Sequence, residues 1–186
     1  MVRTGITDKT PQRYIVDAGE VRVNYVDADN PGKLLGATLD GNEFVIEPEY
    51  RDPRPDGARG KIKGLRSLID ISIQLTANMF EVTRETLLKG IPGASGGVEG
   101  NHFVITPSLD IEDEDYIDNV ALIGSISGSD KGIIIILKNV LADEGITLSF
   151  ADRDDVLQPI MFSAHFDPED LDEVPYEIRY PAEIVT

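Results

Sequence analysis

Ser67-Leu68-Ile69-Asp70-Ile71-Ser72-Ile73-Gln74-Leu75-Thr76-Ala77 alternates apolar and polar residues without a break from Ile69 onward. Ile69, Ile71, Ile73 and Leu75 fall on one side, and Asp70, Ser72, Gln74 and Thr76 on the other. A period of two places those sets on opposite faces of a β-strand, one for a core and one for water. From Arg66 to Ala77 the strand spans roughly 40 Å at ~3.3 Å per residue, against about 5–6 residues for an ordinary strand. Such a strand, wet on one face, suits the wall of a barrel or tube better than the floor of an active site.

The chain around it reads mostly as β. Glu20–Val26 alternates, a turn follows at Asp27–Gly32, and Leu34–Leu39 reads as a strand. Asp40-Gly41 is a hairpin-type dipeptide. Asn42–Tyr50 alternates again, with Phe44, Ile46 and Tyr50 opposite Glu43, Glu47 and Glu49. Arg51–Leu65, rich in Pro, Gly and basic residues, reads as a long exposed loop between two long strands. One short helix is predicted: Thr83 caps it, Arg84–Lys89 form it and Gly90 ends it. Pro92 to Gly100 reads as a flexible connection. His102–Ile111, Ile117–Ile126 and Gly132–Val140 follow as strands, and Ile133–Leu137, apolar on both faces, as one buried on both. Ile146–Phe150 and Gln158–Asp167 suggest a final hairpin with Ile160, Phe162 and Phe166 inward.

At 186 residues the chain is read as one domain, 1–186, with no internal repeat. It has no Cys, so neither disulfides nor thiolate chemistry is available. The start, MVRTGITDKT, lacks the apolar core of a signal peptide. The longest apolar run is far too short to cross a bilayer as a helix, so a soluble chain without an export signal is expected.

Charge is the second strong signal. The net charge is −17, yet residues 1–93 carry 13 basic and 14 acidic side chains while residues 94–186 carry 4 and 20. Arg51–Arg66 holds six bases against Asp52 and Asp56, and Asp110–Asp118 holds six acids and no base. Either run serves as a solvated surface. Together they also suit a head-to-tail contact between neighbouring copies, which builds rings or filaments.

Catalytic and metal signatures fail on inspection. Gly93-Ala94-Ser95-Gly96-Gly97 matches G-x-S-x-G, but Ile91-Pro92 before it and VEGN after it do not make the strand–turn–helix of a nucleophile elbow. Asp56 to Lys61 has glycines and a lysine at the wrong spacing for a P-loop, and Ile62 replaces the metal-ligating hydroxyl. Two His and no Cys cannot build an ordinary structural zinc site. Asp27–Gly32 begins like a calcium loop, but Pro31 offers no ligand and Thr38 stands where the bidentate Glu belongs. Asp152, Asp154 and Asp155 could hold only an adventitious cation, and His165 is placed on the polar face of its strand. The expectation is no enzyme, no catalytic residue, no metal and no cofactor.

VDAGEVRVNY, LLGATLDGNEFVIEPEY, the DGARGKIKG loop and the long strand after it resemble the major tail protein of phages, the tube subunit of long non-contractile tails. ITLSFADRDDVLQPIMFSAHFDPEDLDEVPYEIRYP is similar to that family's closing strands and tail segment, so the resemblance spans roughly Tyr14 to Pro181. It implies a mainly β protein: an antiparallel β-sandwich with one short flanking helix, giving two long hairpins to an inner barrel shared by six copies. By pattern, Asn42–Tyr50 with Arg66–Ala77 is one hairpin, and Ile146–Phe150 with Gln158–Asp167 the other. Residues 1–13 and 170–186 would be arms that order on assembly, and residues 51–65 the loop that reaches the next ring.

Arg51, Arg54, Arg59, Lys61 and Lys63 are then candidates for the inter-ring contact. Glu43, Glu47, Glu49, Asp70, Ser72, Gln74, Thr76, Ser163 and Asp167, with Thr147 and Ser149, are candidates for the lumen. Four strands from each of six copies would close a barrel with a bore on the order of 40 Å at ~4.8 Å spacing and ~40° tilt. The implied partners are further copies in homo-hexameric, head-to-tail stacked rings, a tape-measure protein, and terminator and tip proteins. DNA would cross the lumen unbound, and the particle, a virion tail, would be assembled in the host cytoplasm. Rival readings are the inner tube of a contractile tail or injection machine, a capsid-decorating β-domain, and a nucleic-acid-binding module using Arg51–Arg66, which the net charge opposes.

Overall fold

The alternation of residues 67–79 becomes one of the three longest strands of the molecule. A computed structural model describes residues 5–148, 150, 152 and 156–182. In chain order the strands are β1 (Ile15–Val23), β2 (Lys33–Leu34), β3 (Thr38–Arg51), β4 (Ser67–Met79), β5 (Ala94–Glu99), β6 (His102–Pro107), β7 (Ile117–Ile126), β8 (Ser129–Leu141), β9 (Gln158–Ala164) and β10 (Tyr176–Arg179). Helix α1 (Arg84–Gly90) lies between β4 and β5, and 3-10 turns occupy Thr10–Gln12 and Asp113–Asp115.

Seven strands form an antiparallel sheet in the order β2-β1-β7-β8-β9-β4-β3, with β10 added on β8, while β5 and β6 pair apart. The sheet folds over into two layers. Its two ends approach at Asn42, whose Nδ2 donates to the Ala18 carbonyl at 3.0 Å. Between the layers lies the main core, which draws Val21 and Val23 from β1, Val120 from β7, Leu137 and Val140 from β8, Ile160 and Phe162 from β9, and Ile73 to Met79 from β4. β8 serves both faces as its pattern requires: Ile135 and Leu137 face this core, and Ile134 and Ile136 join Tyr25 and Ala121 behind it. One edge of β8 is shared out: residues Ile134–Leu137 pair with β10 and Val140–Leu141 with β9. Asn139, at φ 49°, turns the backbone between the two.

The helix forms where its capping signals place it. Thr83 Oγ1 accepts from the Thr86 amide at 3.1 Å, and Thr86 Oγ1 accepts from the Thr83 amide at 2.8 Å, a reciprocal cap. Gly90 is the last helical residue, and packing demands it: a Cβ there would stand 2.3 Å from Ile146 Cγ2.

Five readings of the sequence are corrected. Asp40-Gly41 is not a hairpin turn but a bulge within β3, both residues at positive φ, and the pairing to β4 resumes at Asn42. Hydrophobic alternation on either side of the dipeptide outweighs its turn preference. Residues 94–107 form the β5–β6 hairpin rather than a flexible connection. Gly96 leaves the space that the Phe103 ring fills, since a Cβ there would meet Phe103 Cε1 at 2.4 Å. Ile146–Phe150 is not a strand among the described residues; Ile146 makes a single bridge to Ile160. Phe166 lies past the end of β9 and is 37% exposed rather than inward. Tyr176–Arg179, within the segment expected as a C-terminal arm, lies in the sheet as β10.

Candidate assembly surface

Strands β3 and β4 stay paired from Asn42↔Ala77 to Arg51↔Ser67, but β9 accompanies β4 only from Gln74 to Met79. Beyond Ile73 the two strands continue as a two-stranded ribbon with both edges open. β3 is the last strand of the sheet, so no strand pairs with its outer edge, which meets β1 only near Asn42. Pro48 is tolerated there because an edge strand need not donate on both sides.

The ribbon is amphipathic along its length. Phe44↔Leu75, Ile46↔Ile73 and Pro48↔Ile71 make the apolar face, while Glu43↔Thr76, Val45↔Gln74, Glu47↔Ser72 and Glu49↔Asp70 make the other. Of the predicted lumen residues, Glu43, Glu47, Glu49 and Asp70 are exposed, and Ser72, Gln74 and Thr76 half-buried, all on that second face. Ser163 joins the same face opposite Gln74 but is 9% exposed. Asp167 does not belong: it follows β9, its Oδ1 accepting from the Glu169 amide at 2.8 Å. Thr147 is exposed away from the ribbon and Ser149 lies outside the described residues. Glu49 and Asp70, like charges in register, oppose strand pairing.

Toward the tip the apolar face runs out of partners. Ile73, Leu75, Ala77 and Met79 are fully covered, whereas Leu68 is 52% and Ile69 57% exposed. A register shift between Glu49 and Tyr50 leaves Ile69 without an opposite residue. Tyr50, Ile62 and Leu65 add to the exposed apolar set.

The basic loop is clamped at its neck. Asp52 pairs with Lys61 at 2.9 Å and Arg66 at 3.4 Å, and the Arg66 guanidinium lies 3.8 Å over the Tyr50 ring. The hydrogen bond from Lys61 holds the Asp52 carboxyl below its ordinary 3.8, with help from the charges of Lys61, Arg66 and Arg54. Lys61 is thereby spent inside the loop. Arg51, Arg54, Arg59 and Lys63 are exposed, with no described acid at ion-pair distance.

Sequence reasoning missed the staple that fastens the C-terminal strand. Arg179 Nε donates to Glu177 Oε1 at 2.7 Å and its Nη1 to the Val26 carbonyl at 3.1 Å, while its guanidinium stands 5.9 Å from the Tyr25 ring. The same bond lowers the Glu177 pKa and raises that of Arg179. The alternation of Tyr176 and Ile178 was the only local signal. The supposed calcium loop is an Asx turn, Asp27 Oδ1 accepting from the amides of Asp29 and Asn30 at 2.9 and 2.8 Å. His165 packs edge-on to Tyr116 at 5.2 Å, its Nδ1 3.1 Å from the Asn139 carbonyl, and Ser95 lies on β5.

No family model matches the chain, and no curated protein does. Its fold is similar to that of the sheath/tube terminator of an extracellular contractile injection system, PVC, in the extended state. The TM-score is 0.49, with 12% sequence identity over 97% of this chain and 100% of that one.

Proposed function

We propose that this chain is a structural, non-catalytic protein whose copies join edge to edge into the wall of a hollow tube, as in the tail of a phage or a tail-like particle. The observation that carries this reading is the β3–β4 ribbon, open at its edges, acidic on one face and uncovered at its apolar tip. Open edges of that length are hazards that soluble monomers blunt; a tube-forming subunit uses them.

In this arrangement β9, β4 and β3 of each copy lie side by side, and the outer edge of β3 meets the next copy. Glu43, Glu47, Glu49 and Asp70 then face the lumen. With three strands per copy and six copies, ~4.8 Å spacing and ~40° tilt close a barrel whose bore is on the order of 25 Å. That is narrower than a four-strand contribution gives, and still passes a duplex about 20 Å wide. The acidic lining repels phosphate only at contact range, since the Debye length is ~8 Å in physiological salt, so it acts as a non-stick wall. The tape-measure, terminator and tip proteins of tails are the corresponding partners, and the virion tail, built in the host cytoplasm, the place of action.

Negative-stain electron microscopy of the purified chain tests this. Rings or tubes with a central bore support it, and a monomer that stays dispersed at high protein concentration and low salt overturns it.

A further inference from the structure

The molecule is polar along the ribbon. The basic loop sits beyond Ser67, at one end of β4. Helix α1 follows the other end, and Gly90 packs against Ile160, which pairs with Ala77. Ten residues of strand separate Ala77 from Ser67, roughly 33 Å. Beside α1 a cleft of about 220 Å³ opens between Leu88, Pro92, Ala94 and Ile117, with Glu114 and Asp115 among its lining residues. A cavity of about 150 Å³ admits a benzene-sized group, so this one takes an aliphatic side chain. Lys89 is the one base on its lining. Asp110, Glu112 and Asp113 precede Glu114 in the chain, and Asp143 and Glu144 follow the lining residue Ala142. None of these acids has a described cation of Lys or Arg at ion-pair distance.

We propose that this cleft is the seat for the ribbon tip of a second copy. This rests on the tube reading and adds to it the receiving surface. Ile62, 41% exposed, enters between Ala94 and Pro92, while Arg54, Arg59 and Lys63 meet the acidic rim. The tip is basic and apolar, and the cleft apolar with an acidic border. The two lie on opposite ends of one chain, so the contact is heterologous and propagates instead of closing on a pair. Exposed ion pairs contribute only ~0–1 kcal/mol each, so the charges select and orient while the buried side chains hold.

The chain has no Cys, which makes the contact directly testable. Ile62→Cys and Ala94→Cys chains, purified separately and oxidised together, should form a disulfide-linked dimer. Neither variant alone should do so at the same concentration, because like positions do not meet in a head-to-tail contact. A mixture that cross-links no more than the single variants overturns the proposal. A second pair guards against misfolding. Arg54→Glu with Arg59→Glu should abolish the cross-link, and adding Glu114→Lys with Asp115→Lys to the partner should restore it at least several-fold. Undiminished cross-linking in the charge-reversed pair also overturns it. Failure of the tube reading shows differently: cross-linked chains would stay short and bore-less in the electron microscope.

Discussion

The two halves of β4 carry one alternation, interrupted only at Leu68-Ile69, and meet different fates. From Ile73 to Met79 each apolar residue is covered by β9, β8 and β1, whereas Leu68 and Ile69 stand half in water. The difference lies in the neighbours and in the Leu68-Ile69 step, where the alternation slips and the register shifts. The covered half holds the chain together; on the tube reading proposed above, the bare half holds copies to one another. An apolar face that continues past its own core is a surface awaiting a partner.

Substitutions should separate those roles. Leu75→Ala, in the covered half, should lower the free energy of unfolding by about 2–5 kcal/mol, as large-to-small core changes do. Ile69→Ala should change it by less than about 0.5 kcal/mol while lowering the sedimentable, assembled fraction. Urea denaturation and sedimentation read the two. Equal destabilisation by both would erase the distinction drawn here.

Next in size is Gly90→Ala. Its Cβ would overlap Ile146 Cγ2 at the junction of helix and sheet, and overpacking of this kind costs about 1–3 kcal/mol. The effect should appear in unfolding and leave any remaining folded chains competent to assemble. Glu47→Lys with Asp70→Lys, on the exposed polar face, should leave stability within about 0.5 kcal/mol. Tubes should still form but retain DNA on a filter, where wild-type tubes retain none.

Asp52→Asn is the gentlest. It removes the clamp at the neck of the basic loop, and trypsin should cut at Arg59 and Lys61 a few-fold faster with no change in urea midpoint. Because the folded carboxyl is depressed, the clamp is whole above the ordinary 3.8 and is lost as pH falls through the lower folded value. NMR shifts of Lys61 and Arg66 should therefore move only below pH 3.8.

Much of this was legible in local pattern. The alternation of Ser67–Ala77 and Asn42–Tyr50 gave the ribbon and its two faces, and Thr83 with Gly90 bounded the helix. What escaped depends on distant contacts. Asp40-Gly41 has turn chemistry, yet the apolar residues beyond it pair with Leu75 and Ile73, so the chain bulges and goes on. Gly96 and Gly97 look like loop until Phe103 covers the gap. β10 pairs with the edge of β8 between Ile134 and Leu137, a contact far away in the chain. Where the ribbon leaves the sandwich is likewise set by the length of β9, which nothing in β4 announces. The candidates on the ribbon share a face because of their period, their lumen role being what the resemblance implies; Asp167, placed by extending a strand three residues too far, does not share it.

Amide hydrogen exchange along the ribbon is the most direct test of the central claim. Amides of residues 43–51 and 67–72 should exchange fast in dilute chain and become protected as protein concentration rises, while those of residues 73–79 are protected throughout. Fast exchange in the ribbon at every concentration, under conditions where the chain associates, would contradict edge-to-edge assembly.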